Sequence, residues 1–181
     1  NLVVFKSEDF NFGIEICEDV WAPIPPSSYL VQAGADIIFN LSASNDLVGK
    51  DQYLSALLKQ QSARFICGYV YSSAGYGEST QDLVYSGKGF IYENGKLLER
   101  TEFFDTNEQL VFSGIDVESI RNDRRVNNTF RNFLESANTK VDIIDVNLPI
   151  LAEHNCHLSD TVREYNGNPF VPEKNIEGTY R

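Results

Sequence analysis

Long apolar runs and a surplus of basic residues are both missing from this sequence of 181 residues. No apolar stretch approaches the roughly 18 residues that a membrane-spanning helix requires, so no such helix is predicted. Lys and Arg together number 15 against 26 Asp and Glu, which gives a net charge of −11 at pH 7. Because phosphate groups bind basic surfaces, this charge argues against nucleic acid and anionic membranes as partners.

Cysteine and methionine are also scarce. The three cysteines are an odd number and nothing else in the sequence points to secretion, so we expect reduced thiols and a cytoplasmic location. The sequence has no methionine and begins almost directly with a strand-like run, Leu2–Phe5. We therefore expect it to be a fragment of a longer protein. The remaining composition, with 42% hydrophobic residues, is that of a globular domain.

The stretch Phe10–Pro23 combines a strand pattern with a cysteine. Phe12, Ile14 and Ile16 alternate with polar residues or glycine, which is the period of a strand packed on one face. The strand is predicted to stop at Cys17, because two acidic residues and then three prolines follow it. The cysteine is then either a buried core residue or a nucleophile at the carboxyl end of a strand, whose oxyanion accepts a hydrogen bond from the next backbone N–H.

Four blocks of sequence resemble one known family. Gly13–Pro23 resembles the nucleophile motif of the nitrilase, or carbon–nitrogen hydrolase, superfamily, in the version carried by the glutaminase domains of glutamine-dependent NAD synthetases. Gly34–Ser44 is similar to the next core strand of that family, and Gln81–Gly89 is similar to a third motif. Asn168–Pro172 resembles the linker that leads into the synthetase domain. The four blocks follow the family's order, which favours the interpretation of Cys17 as a nucleophile.

The resemblance implies a fold and a division of the chain. The fold would be α/β, a nitrilase-like four-layer α-β-β-α sandwich that is incomplete because its N-terminal part is missing. Residues 1–146 would form the C-terminal part of the glutaminase domain. Residues 147–181 would form an extended arm or linker toward an absent NAD synthetase domain.

The resemblance also implies a reaction, in which Cys17 attacks the carboxamide of glutamine and forms a thioester. The family's catalytic Glu and Lys precede its Cys by tens of residues, but only 16 residues precede Cys17 here. Lys6 and Glu15 stand in no matching motif, so neither is assigned these roles. Both catalytic partners are expected outside this chain, and the chain alone is expected to be inactive.

Partners and cofactors follow from the same resemblance. Glutamine would be the substrate, and the synthetase domain of the same parent chain would receive the ammonia within a homo-oligomer. No cofactor is expected in this chain, because ATP and Mg²⁺ would bind in the absent synthetase domain. Two alternatives stay open, namely a stand-alone nitrilase-superfamily amidase and a non-catalytic, nitrilase-like interaction domain in which Cys17 is structural.

Four further residues are candidate substrate contacts, and the roles of Trp21, Ser44 and Lys50 among them are those that the resemblance implies. Glu18 follows the nucleophile and supplies the oxyanion N–H, while its carboxylate either faces the pocket or is a solvated turn residue. Trp21 either lines the substrate pocket or packs in the core. Ser44 ends the second block and either contacts the polar end of glutamine or satisfies a turn. Lys50 is placed to bind a carboxylate, or else is a solvated lysine at a helix start.

No metal site is predicted. Residues 153–157 contain both histidines and Cys156, but no second Cys/His cluster exists to complete a tetrahedral site. Cys67 lies in an apolar strand pattern and is predicted to be a core residue.

Periodicity and turn signals predict the elements. The Asn94-Gly95 pair predicts a hairpin, and a loop that borders the pocket is predicted at Ser72–Gln81. The predicted helices are Pro25–Gln32, Lys50–Arg64 and one helix from Asp116 to Ala137. The predicted strands are Leu2–Phe5, Phe10–Ile16, Ala35–Leu41, Phe65–Tyr71, Leu83–Tyr92, Lys96–Phe104, Leu110–Ile115 and, as an edge or linker piece, Val141–Val146.

Overall fold

The computed structural model of the protein describes residues 1–148. Within them, strands and helices alternate along most of the chain. The strands are β1 (Val3–Lys6), β2 (Asn11–Ile16), β3 (Ile37–Ser42), β4 (Gly68–Ser73), β5 (Gly89–Glu93), β6 (Lys96–Arg100) and β7 (Asp142–Asp145). The α-helices are α1 (Pro26–Gln32), α2 (Lys50–Phe65), α3 (Val117–Val126) and α4 (Asn128–Glu135), and short 3₁₀ helices lie at Cys17–Trp21 and Tyr76–Glu78. No helix in this part of the chain has the length and apolar character needed to cross a membrane.

The strands form one mixed sheet in the order β6-β5-β4-β3-β2-β1-β7. At its centre β2, β3 and β4 run parallel, and α1 and α2 provide the connections between them. β1 is antiparallel to β2, β5 and β6 add an antiparallel hairpin, and β7 pairs in parallel with β1 at the edge. The carboxyl ends of β2, β3 and β4 therefore meet at one edge of the sheet, where open α/β folds place their ligand sites.

The two faces of the sheet differ in what covers them. One face packs against α1 and α2, and its buried cluster includes Ile38, Tyr69 and Tyr71 from the strands with Leu30 and Leu58 from the helices. The approach of α1 is close, because a Cβ added at Gly13 would lie 2.9 Å from Leu30 Cδ1. The opposite face is also apolar but more open: its side chains include Ile14, Ile16 and Leu41, which are 39%, 55% and 54% exposed.

The predicted α/β class is confirmed, and so are most of the elements. The Asn94-Gly95 turn has positive φ at both positions, 43° and 80°, as a tight hairpin requires. Three predictions of extent are wrong. β4 begins only at Gly68, because Ile66 takes a left-handed φ of 47°. β5 begins only at Gly89, after a turn at Gly87 with φ of 68°, and β6 ends at Arg100.

The predicted strand at Leu110–Ile115 does not form. Its apolar residues alternate, but Leu110 and Phe112 are 88% and 68% exposed, and the segment pairs with no strand among the described residues. The side chain of Ile115 instead packs against Gly68 of β4, where an added Cβ would lie 3.0 Å from Ile115 Cδ1. Alternation alone does not make a strand, because a strand also needs a partner strand with which to form backbone hydrogen bonds.

The predicted single helix from Asp116 to Ala137 is two helices. Asp116 caps α3 as predicted, since its Oδ1 accepts from Ser119 N at 2.8 Å. Asn127 then takes an extended conformation and starts α4, with its Oδ1 accepting from Phe130 N at 2.9 Å. The break allows Phe130 to enter the core cluster. The predicted arm, 147–181, lies outside the described residues apart from its first two positions, so this division of the chain stays a prediction.

Candidate active site

Cys17 lies at a sharp turn where β2 ends and the 3₁₀ helix Cys17–Trp21 begins. Its φ is +49°, a conformation that costs a non-glycine residue on the order of 1–3 kcal/mol. Two side chains hold the turn: Asp19 Oδ2 accepts from Ile16 N at 2.8 Å, and Asn40 Nδ2 donates to Cys17 O at 3.4 Å. The sequence therefore encodes a strained turn that leaves the thiol half-buried.

A buried polar network supports this turn from the helix-covered side of the sheet. Glu15 is 2% exposed, and its carboxylate accepts from Ser27 N at 2.9 Å, from Asn40 Nδ2 at 3.4 Å and from the Tyr69 hydroxyl. Burial, followed by the negative charge of Glu15, raises the pKa of Tyr69 well above its ordinary value, so the hydroxyl stays a donor. The Glu15 carboxylate is thus committed to hydrogen bonds inside the protein.

A cavity of about 470 Å³ opens at the carboxyl ends of β2 and β3. It brings together all five residues that the sequence singles out, although they lie up to 33 positions apart along the chain. The complete lining is Cys17, Glu18, Trp21, Ala43, Ser44, Asn45, Leu47, Lys50 and Tyr53.

Lys50 supplies the positive charge of this cavity. Its Nζ donates to Ser44 Oγ at 2.8 Å and to Asn45 O at 2.7 Å, so both of these acceptors are neutral oxygens. The same ammonium lies 5.7 Å from the centre of the Trp21 ring, within cation–π range. The half-buried lysine is therefore positioned against the cavity wall with its charge available to an anionic group of a ligand.

Aromatic rings form another wall. Trp21 stacks on Tyr53 with ring centroids 5.3 Å apart and planes at 24°. Tyr53 is not a core residue of α2, since it is 64% exposed whereas its neighbour Leu54 is 2% exposed. Tyr53 lies three residues after Lys50, about one helical turn away, and this spacing could have placed it at the cavity.

The second described cysteine has a different environment. Cys67 is fully buried, as predicted, and burial raises its pKa to about 12. Its thiol therefore stays protonated at neutral pH, whereas Cys17 is half-buried and faces the cavity.

Two other predicted features lie elsewhere. The Ser72–Gln81 loop does not line the Cys17 cavity, and part of it lines a separate polar cavity. Its start is bonded to the end of β3: Ser73 Oγ accepts from Ser44 N at 3.3 Å, and Ala74 N donates to Ser42 O at 3.0 Å. The cluster at 153–157 lies outside the described residues. Within residues 1–148, no three His, Cys, Asp or Glu side chains are grouped closely enough to hold a metal ion.

The relatives found by comparison with known proteins share one name. No family model matches the chain. It is 40% identical over 131 residues to the glutamine-dependent NAD(+) synthetase of Mycobacterium tuberculosis, which is 71% of this chain and 19% of the relative. It is 34% identical over 126 residues to the enzyme of the same name from Thermotoga maritima, which is 64% of this chain and 22% of the relative. The chain thus spans about a fifth of the length of these curated relatives.

Solved structures agree with the sequence relatives. A glutamine-dependent NAD+ synthetase from Acinetobacter baumannii superposes with a TM-score of 0.54 at 27% identity, covering 59% of this chain and 20% of that one. A carbon–nitrogen hydrolase from Helicobacter pylori gives a TM-score of 0.60 at 16% identity, covering 76% of this chain and 49% of that one, which is a likeness of fold. The chain is therefore a relative of part of the glutamine-dependent NAD(+) synthetases and has the fold of the nitrilase, or carbon–nitrogen hydrolase, superfamily.

Proposed function

We propose that this chain carries the glutamine-hydrolysing site of a glutamine-dependent NAD synthetase, with Cys17 as nucleophile. The observation that supports this most strongly is the convergence of Cys17, Glu18, Trp21, Ser44 and Lys50 on one cavity. A cavity lined by both a thiol and an ammonium matches glutamine, which carries a carboxamide and a carboxylate.

The proposed reaction proceeds through a thioester. The Cys17 thiolate attacks the carboxamide carbon, and the Glu18 N–H donates to the oxyanion that forms. The C–N bond then breaks, and the nitrogen takes up a proton and leaves as ammonia. Water attacks the γ-glutamyl thioester, which releases glutamate and restores the thiol.

Within this proposal, the cavity residues bind the other end of glutamine. Lys50 would pair with the substrate carboxylate, and Ser44 would hydrogen-bond the same polar end. Trp21 and Tyr53 would pack along the methylene groups. Removing a hydrogen bond to a charged group costs about 1.5–3 kcal/mol, or roughly a 10- to 100-fold loss of affinity, so Lys50→Met should weaken glutamine binding by that factor.

The base and a second oxyanion donor, a Glu and a Lys by family resemblance, would come from outside this chain, which alone would be inactive. The parent would work in the cytoplasm as a homo-oligomer. Its ATP and Mg²⁺ would bind in the synthetase domain, where the ammonia is consumed.

Covalent labelling tests the proposal on the chain itself. The chain, with Cys156 replaced by serine, is treated near neutral pH with a chloroketone analogue of glutamine, and adducts are located by mass spectrometry. We expect a single adduct at Cys17, slower labelling when glutamine is present, and no such protection by alanine. Cys17→Ala should abolish labelling and Cys67→Ala should leave it intact. The same treatment is applied to the proposed parent protein, which supplies the base; absence of an adduct at Cys17 there, or equal labelling with and without glutamine, would refute the proposal.

A further inference from the structure

The third family-like block contains a lysine, Lys88, that is almost completely buried. Lys88 is 6% exposed and directly precedes β5, two strands away from β3. Its Nζ lies 2.9 Å from Asp46 Oδ1 and 3.8 Å from Asp51 Oδ1. Burying an ammonium group is unfavourable unless it is paired, so the burial of Lys88 depends on its carboxylate partners.

Asp46 belongs to the loop 43–49, which connects β3 to α2 and forms part of the cavity wall. Its neighbours on both sides, Asn45 and Leu47, line the cavity. The side chain of Asp46 is only 10% exposed, and its backbone N donates to Val84 O at 2.7 Å. The loop is thus anchored through Asp46 to the segment that leads into β5.

Apolar packing contributes little to holding the loop. Leu47 and Val48 are 62% and 108% exposed, and Gly49 has no atom within 4 Å of where a Cβ would stand. Burial alone would raise the pKa of Asp46, but hydrogen bonds from Ser86 and Lys88 and the charge of Lys88 lower it. The Asp46 carboxylate is therefore ionised at neutral pH and pairs with the Lys88 ammonium.

We infer that Lys88 is a positioning residue that fixes the loop 43–49 through Asp46, so that Ser44 and Lys50 are held in place for the substrate. The ligand assignment in this inference rests on the proposed function. Lys88 itself lines no part of the Cys17 cavity, so it acts through the loop. When the binding-competent conformation is populated only part of the time, apparent affinity falls by that fraction.

The test compares Lys88→Met with Lys59→Met, since Lys59 is an exposed lysine on α2. Hydrogen exchange is measured for the amides of Asp46 and Lys50, which donate to Val84 O and Leu47 O, and for residues 12–16 of β2 as an internal reference. Labelling of Cys17 is measured with the glutamine chloroketone and with iodoacetamide, a small reagent that does not need the loop. The double variant Lys88→Met/Asp46→Asn is included because it leaves no unpaired carboxylate at position 46.

We expect both Lys88 variants to exchange the loop amides faster, with β2 unchanged and Lys59→Met like wild type. The rate of chloroketone labelling relative to iodoacetamide should fall about tenfold if the loop is competent roughly a tenth of the time. Unchanged loop exchange in both variants would overturn the inference, as would equal slowing of the two reagents. If wild type shows no preference for the chloroketone while the variants still loosen the loop, the positioning role holds and the glutamine proposal fails.

Discussion

Two tyrosines on β4 give a matched test of the network beneath the nucleophile. Tyr69 and Tyr71 are 0% and 1% exposed, and they lie on the same face of the same strand. The Tyr69 hydroxyl donates to the Glu15 carboxylate, whereas the Tyr71 hydroxyl has no hydrogen-bond partner within the described part of the chain. Replacing each by phenylalanine removes only the hydroxyl and retains the ring.

The two substitutions are expected to change the free energy of unfolding differently: one should lower it, and the other should leave it unchanged or raise it. A hydrogen bond to a charged group contributes about 1.5–3 kcal/mol, and Glu15 retains two other donors, so we expect Tyr69→Phe to lose about 2 kcal/mol. A buried hydroxyl without a partner is itself unfavourable, so Tyr71→Phe should be neutral or stabilising by up to about 1 kcal/mol.

Urea unfolding followed by tryptophan fluorescence measures both variants, because Trp21 is the only tryptophan and lies in the cavity. The midpoints should move in opposite directions or one should stay unchanged, with similar slopes for both proteins. Equal losses of unfolding free energy in the two variants would show that the hydrogen bond from the Tyr69 hydroxyl to Glu15 contributes no extra stability. A neutral Tyr69→Phe would refute the network as support for the Cys17 turn.

Three smaller tests address packing, charge and the buried thiol. Gly13→Ala should lower the free energy of unfolding, measured thermally, by about 1–3 kcal/mol, because the new Cβ would lie 2.9 Å from Leu30 of α1. Gly77→Ala is the control: its Cβ would meet nothing within 4 Å, so the free energy of unfolding should change by less than about 0.5 kcal/mol. Equal losses in the two variants would contradict the close packing of α1 on Gly13. Burial alone would raise the pKa of Asp46, but bonds and charge from Lys88 help to lower it, so the folded state gains stability above about pH 4 and loses it as pH falls further. Asp46→Asn should therefore flatten the acid side of a urea-midpoint profile, and an unchanged slope would count against the ion pair. Cys67, with a pKa raised to about 12, should react with a disulfide reagent at pH 8 only on unfolding; rapid reaction in the folded protein would contradict its burial.

Local signals in the sequence predicted most of the sheet and the core of the site. Alternating residues predicted β2, and the breakers after Cys17 predicted where it ends. Because β2 and β3 are parallel neighbours, the residues that follow them, Cys17 and Ser44, come together at one edge. The family resemblance added Trp21 and Lys50, and periodicity alone does not predict that these two residues line one cavity.

What the sequence did not predict depends on contacts between distant segments. The stretch 110–115 has a strand pattern, but its outcome depends on whether a sheet edge is free to pair with it. The pairing of Lys88 with Asp46 joins residues 42 positions apart, and no spacing rule connects them. Asn127 ends one helix and caps the next, and the second helix places Phe130 in the core cluster. That packing is a contact with distant segments, which the local sequence pattern does not contain.

The most direct test of the account is ammonia release from glutamine by the longer parent protein that we propose for this chain. Wild type is compared with Cys17→Ala, with Cys67→Ala and with the 181-residue chain alone. We expect activity in wild type and Cys67→Ala, none in Cys17→Ala, and none in the isolated chain, because its base and second oxyanion donor would be absent. Full activity in Cys17→Ala would contradict the central claim and would make Cys17 a structural residue.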